Sequence, residues 1–238
     1  HNADGSKTLS VSFSCAYKWV ASSAWSASGT MPLTQIARAS QPSCVTFPAT
    51  TEDVGYMGNT IRIHMNRAST SFVHTVRYAW GSKSGTIATG VGDNVEWTIP
   101  LDLATEIPNQ YSGWGSIYCD TYYGSTFVGT KSVVFKASAP SSTSPTVSIS
   151  LERPRTTTPA VTGYVQGVDQ LKVTISATGK YGATITSYSS TVDGTTYSRS
   201  TYTTGILAKS GAIRVTATVT DSRGWKTTVS KDITVQAY

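Results

Sequence analysis

Apolar residues fall at every second position through one short run after another in this chain. Ile61/Ile63/Met65, Val95/Trp97/Ile99, Leu171/Val173/Ile175/Ala177 and Ile213/Val215/Ala217/Val219 all follow the rule. A side-chain period of two is the signature of a half-buried antiparallel strand, whose alternate residues face core and water. The positions between are largely hydroxyl-bearing: 33 Ser and 38 Thr occupy 71 of the 238 residues. Thr suits that place because its β-branch favours extended backbone while its hydroxyl stays hydrated. The chain therefore reads as all-β. Fewer than ten Leu, with Pro, Gly or Thr breaking nearly every decade, exclude a helix bundle, a coiled coil and Rossmann or TIM-barrel enzymes. The 13 Tyr, 6 Trp and 5 Phe supply enough core area to exclude wholesale disorder. No apolar run approaches the roughly 20 residues needed to cross a bilayer.

The spacing of these runs predicts repetition. Between 41 and 139 the strands are Ile61–Met65, Val73–Trp80, Val95–Ile99 and Ile117–Cys119, closed by a hairpin near Tyr123-Gly124-Ser125 that leads into Val133-Val134-Phe135. Pro100 to Pro108, with Pro at its start and early acid, suits one short helix crossing between strands. Residues 145–238 repeat the scheme, with turns at Asp193-Gly194 and Asp221-Ser222-Arg223-Gly224. About seven short strands in about 95 residues fit an immunoglobulin-like or fibronectin-like sandwich. The Ser/Pro stretch Ala139–Pro145 supplies a linker, and a softer boundary falls near Ile36–Pro42. The expected organisation is residues 1–39 as a partial β segment of an upstream module, 40–139 as a first sandwich and 140–238 as a second. Asp4-Gly5 is a hairpin-turn dipeptide before the strand Thr8–Phe13, which implies a partner strand upstream or from another chain. Neither an initiator Met nor a signal-peptide pattern opens the sequence, so it is expected to be a fragment or a processed product.

Charge and cysteine narrow the partners. The formal charge is +6, but Lys and Arg are scattered singly rather than gathered in a stripe along which a phosphate backbone could lie, so no nucleic acid is expected as partner. Cys15, Cys44 and Cys119 are odd in number and lack CxxC spacing, which suits buried reduced thiols and synthesis in a reducing cytoplasm.

Catalytic machinery is sparse. His64 and His74 sit on consecutive predicted strands, where pairing could bring them together with Asp93 or Glu96 around a metal, yet nothing resembles HExxH, and His74 shares the phase of Val76. There is no GxSxG elbow, Gly113-Trp114-Gly115 lacks a phosphate-loop Lys, and Glu52, Asp53, Glu96 and Glu106 form no persuasive carboxylate couple. Asp4, Asp193 and Asp221 read as turn formers. No catalytic residue, metal or cofactor is expected. Trp19, Trp25, Tyr111, Trp114, Tyr118, Tyr122 and Tyr123, several beside Gly or Ser in expected loops, could stack on sugars or anchor an interface, whereas Trp80 and Trp97 fall in core phase. Trp114, Tyr122 and Tyr123 are the candidate carbohydrate-binding residues.

Several strings carry a family resemblance: Ser82–Gly92, Val95–Leu101 with Ile107-Pro108-Asn109, and Tyr123–Thr126 with Val128–Lys131. Further matches are Gly163–Gly167, Leu171–Ile175 and Val219–Gly224. Together they resemble tail structural proteins of siphophages of Gram-positive hosts, a family of unknown detailed function with C-terminal immunoglobulin-like repeats. The resemblance covers most of the chain and implies a longer parent, a virion location after synthesis in the host cytoplasm, and no known active site.

Two functions compete on these grounds. The first is a non-enzymatic tail module that spaces or displays host-contacting domains, with other virion proteins or a second copy as partners and no membrane insertion. Long Thr-rich edges in residues 1–39, blunted by Lys7 and Lys18, invite such pairing. The second is a host-attachment module whose aromatics bind a cell-surface glycan.

Overall fold

The computed structural model describes residues 8–16, 24–32, 38–45, 52–154 and 163–238. The expected turn at Asp4-Gly5, the edge lysines Lys7 and Lys18, and Trp19 lie outside them. In chain order the strands are β1 Thr8–Ala16, β2 Ala24–Pro32, β3 Gln41–Val45, β4 Asp53–Tyr56, β5 Thr60–Asn66, β6 Phe72–Trp80, β7 Lys83–Val91, β8 Asn94–Thr98, β9 Ser112–Tyr123 and β10 Thr126–Ser138. Then come β11 Thr146–Glu152, β12 Tyr164–Val165, β13 Gln170–Thr178, β14 Ile185–Val192, β15 Thr195–Tyr197, β16 Thr201–Ile206, β17 Gly211–Asp221 and β18 Lys226–Gln236.

The fold is all-β, and one plan is laid down twice. β3-β5-β8 and β4-β10-β9-β6-β7 form the first pair of sheets, and β11-β13-β16 and β12-β18-β17-β14-β15 the second. Numbering each set of eight in order, strands one, three and six make one sheet, and two, eight, seven, four and five make the other. Crossing from sheet to sheet between the third and fourth strands is the immunoglobulin-like arrangement. Ahead of both sets, β1 and β2 pair antiparallel from Thr8 opposite Pro32 to Ala16 opposite Ala24, so β1 has a partner within the chain.

Two compact units result: His1–Val54, Thr60–Thr98 and Trp114–Lys136, and Gly55–Asn59, Ile99–Gly113 and Ala137–Tyr238. The first is centred on rings. Trp97 of β8 stacks on Tyr78 of β6 at 5.1 Å and meets the edge of Phe135 of β10 at 5.6 Å, while Trp80 lies 5.4 Å from Phe135. Both Trp80 and Trp97 are buried, as their phase predicts. Cys119 on β9 is a free, fully buried thiol, and desolvation pushes its pKa up to about 11, which keeps it protonated and inert.

The second unit uses aliphatics: Leu171, Val173 and Ile175 from β13 interlock with Val215, Ala217 and Val219 from β17. Its hairpins follow their turn residues. Asp193 and Gly194 both take positive φ, 45° and 81°, as a two-residue type I′ turn demands. Asp221 Oδ1 accepts the backbone N–H groups of Arg223 and Trp225 at 3.0 and 2.9 Å, which closes the turn between β17 and β18. Arg223 itself is buried, and its guanidinium donates to four main-chain carbonyls, those of Ala104, Ile107, Lys180 and Tyr181.

Two connecting stretches take helical turns. The short helix is a 3-10 helix, Leu101–Glu106, with Leu103 and Ala104 buried; six residues leave an α-helix almost no internal bonds, so the tighter form is natural. The Ser/Pro stretch contains a turn of its own. Ser141–Thr143 forms a second 3-10 turn, Thr143 is fully buried, and its hydroxyl donates to the Pro140 carbonyl at 2.7 Å. Short hydroxyl side chains can satisfy backbone locally, which composition alone conceals.

The ring core tolerates no bulk at Gly115. A Cβ there would sit 2.6 Å from Trp80 Cε3, 2.7 Å from Phe135 Cε1 and 2.8 Å from the Ala79 carbonyl oxygen. Gly115→Ala is expected to destabilise the fold by ~1–3 kcal/mol, seen as a lower urea midpoint at unchanged slope.

Candidate functional site

Of the aromatics singled out from sequence, Trp114, Tyr118, Tyr122 and Tyr123 lie on β9 rather than in loops, and Tyr111 lies just before it. Trp114, Tyr118 and Tyr122 occupy alternate positions of β9 whose neighbours Gly115, Ile117, Cys119 and Thr121 are buried, so the three rings share the outward face. Trp114 is 59% exposed, and with Ala79, Trp80, Gly81, Gly115, Ser116 and Val134 it borders an open, shallow recess of about 270 Å³. Tyr122 meets Phe127, itself 56% exposed, edge to face at 5.6 Å, and Val73 lies opposite it on β6. Tyr123 has the other phase and sits against Phe72 at 6.2 Å. Trp114 and Tyr122 are eight residues apart, about 27 Å at the rise of a strand, so Trp114 is not brought together with Tyr122 and Tyr123.

Between the rings lies a charged pair. Arg77 of β6 donates through Nε and Nη2 to Asp120 of β9 at 2.6 and 3.0 Å, and Thr130 Oγ1 donates to the same carboxylate at 2.6 Å. These bonds hold Asp120 below the usual carboxylate range. The Arg77 guanidinium also covers Tyr118, 5.3 Å from the ring centroid. Sequence reading named Tyr118 among the aromatics that could stack on sugars but not among its three candidates, and gave Arg77 and Asp120 no role. Strand phase was the available signal: 114, 118 and 122 share a parity that 123 does not.

The remaining titratable groups do not converge. β5 and β6 belong to opposite sheets, so His64 and His74 are not strand partners. His64 Nδ1 lies 2.9 Å from Asn94 Oδ1. Asp93 is bound by Arg67, which holds its carboxyl low, and Glu96 faces Arg62 at 3.5 Å. Among the described residues no group of three or more His, Cys, Asp or Glu is placed to hold a metal ion.

His74 is fully buried, and its Nδ1 lies 3.1 and 3.0 Å from the carbonyls of Val91 and Gly92. Carbonyls only accept, so Nδ1 carries the proton, and buried Nε2 has no partner. Burial is the main cause that lowers this histidine below its ordinary 6.5, against the pull of the two carbonyls. A histidine depressed on folding contributes stability above its unfolded pKa and loses it as pH falls below about 6.5. The urea midpoint should therefore drop between pH 7.5 and 5.5, and His74→Gln should flatten that slope.

The whole chain, residues 1–238, matches the sequence profile of a family described as siphovirus protein of unknown function (DUF859). No curated protein matches it significantly. Among solved structures, the PKD1 domain of the Vibrio cholerae metalloprotease PrtV is 23% identical, covering 39% of this chain and 98% of that one, at a TM-score of 0.30. Fibronectin(III)-like modules of Clostridium thermocellum CbhA are 17% identical, covering 83% and 95%, at 0.33. Protocadherin gamma B7 extracellular cadherin domains 1–4 are 14% identical, covering 98% and 58%, at 0.36. The immunoglobulin-like assignment rests on strand order, not on these distant likenesses.

Proposed function

We propose that this chain, which belongs to the siphovirus family of unknown function, is a non-enzymatic structural module of the virion tail that spaces or displays domains contacting the host. The observation that carries the reading is the repetition of one eight-strand plan in succession. Sandwich domains repeated along a chain can act as spacers without carrying chemistry. Four of the acids that sequence reading considered for catalysis are engaged elsewhere: Asp93 by Arg67, Glu96 by Arg62, Asp53 by Lys136 and Asp221 by its own turn. On this reading the protein is made in the host cytoplasm and assembles with other tail proteins, or with copies of itself.

A second reading is favoured by one observation, the 59% exposure of Trp114 beside an open recess. Large aromatic side chains left in water at a concave surface are a common mark of ligand contact. In that reading the module also binds a glycan on the host surface.

Mass spectrometry of purified virions should detect this chain, and cryo-EM of the tail should show its paired sandwiches; virions that lack it would end the structural reading. Incubation with labelled host cell wall should release neither sugar nor peptide, as read by counts in the soluble fraction, and release would mean an enzyme.

A further inference from the structure

We propose that the outward face of β6, β9 and β10 is a platform for one extended, uncharged polysaccharide chain lying along β9, with Trp114, Tyr118 and Tyr122 as its stacking rings and the exposed guanidinium of Arg77, held in place by buried Asp120, as its polar contact. This rests on the glycan-binding reading above and gives it a residue set, a direction and a ligand class.

Three observations support it. First, the rings are spaced regularly on one side of one strand: four residues separate each from the next, about 14 Å at the rise of a strand. Second, polar groups fill the intervals. Ser116 lies between Trp114 and Tyr118, and the exposed Arg77 is held beside the interval between Tyr118 and Tyr122 by its bonds to the buried Asp120. A protein partner calls for a contiguous apolar centre within a polar rim. A sugar chain presents flat C–H faces and hydroxyls in alternation, and that is the order of groups here. The charges agree as well, because Arg77 and Asp120 cancel one another and leave the stripe suited to an uncharged polymer.

Third, the same architecture does not require these rings. In the second set of sheets the corresponding outward face, on β14, β17 and β18, is a lattice of hydroxyls. Thr191, Ser189 and Ser187 stand opposite Thr216, Thr218 and Thr220. Thr216 and Thr218 in turn bond Ser230 and Thr228 at 3.1 and 2.8 Å. A fold that covers this face with Ser and Thr in one copy has no structural need of Trp and Tyr in the other.

The test uses the full chain and cell-wall polysaccharide purified from the bacterium that the parent virus infects. Binding is measured by co-sedimentation and by titration with fragments of increasing length. Trp114→Ala, Tyr118→Ala and Tyr122→Ala should each weaken binding at least about fivefold, taking the stacking of nucleic-acid bases as the guide. Tyr123→Ala and Thr218→Ala should not, and affinity should rise with fragment length until the chain spans the three rings. Unfolding midpoints identify any variant that fails by misfolding; for such a position Tyr118→Phe, which keeps the ring, should bind like the parent. Binding that all three substitutions leave intact would overturn the platform while sparing glycan recognition elsewhere on the chain. No binding by the parent protein would overturn both, and self-association lost in the same three variants would reassign the face to a second copy.

Discussion

A sandwich of two small sheets has room for a single layer of interlocked side chains, and every other property of this protein depends on how that layer is filled. With so few leucines available, the first unit fills it with rings: Tyr78 and Trp97 stacked, Phe135 set edge-on against Trp97, Trp80 beside Phe135. Large flat groups fix their neighbours at short range, which is why Gly115 must lack a side chain. The second unit reaches the same strand order with branched aliphatics. Strand order is thus set by the alternation of apolar and hydroxyl positions, and the identity of the core residues is secondary to it.

That dependence explains what could be read from sequence. Strands β5, β6, β8, β9, β13 and β17 carry inward-facing apolar residues at alternate positions, so their existence was plain, as were the turns at Asp193-Gly194 and Asp221–Gly224. The edge strands β7, β12 and β15 were not. β7 and β15 are mostly Ser, Thr and Gly on both faces, and β12 is two residues paired in parallel with β18. Partnership with a neighbouring strand defines these elements, and that is a long-range fact.

The aromatic site shows the same limit. Exposed rings beside glycine suggested loops and led to a set mixing two faces of one strand. Phase would have joined Tyr118 to Trp114 and Tyr122 and set Tyr123 apart, but only once all four were known to share β9. The bond between Arg77 and Asp120 spans 43 residues of sequence, and nothing local marks it. His74 was placed inside correctly by its alternation, whereas the orphaned Nε2 follows from where the carbonyls of Val91 and Gly92 happen to lie.

Arg223 grips its surroundings only through peptide oxygens. Every amino acid carries such an oxygen, so the residues at 104, 107, 180 and 181 can drift over generations without loosening the grip, provided the backbone keeps its course. Lysine at 223 would be a poor heir, since an ammonium has three donors and no planar fork with which to reach four acceptors in two directions. Divergent descendants of this chain should therefore hold on to one arginine in that hairpin while the sequence around its partners is rewritten.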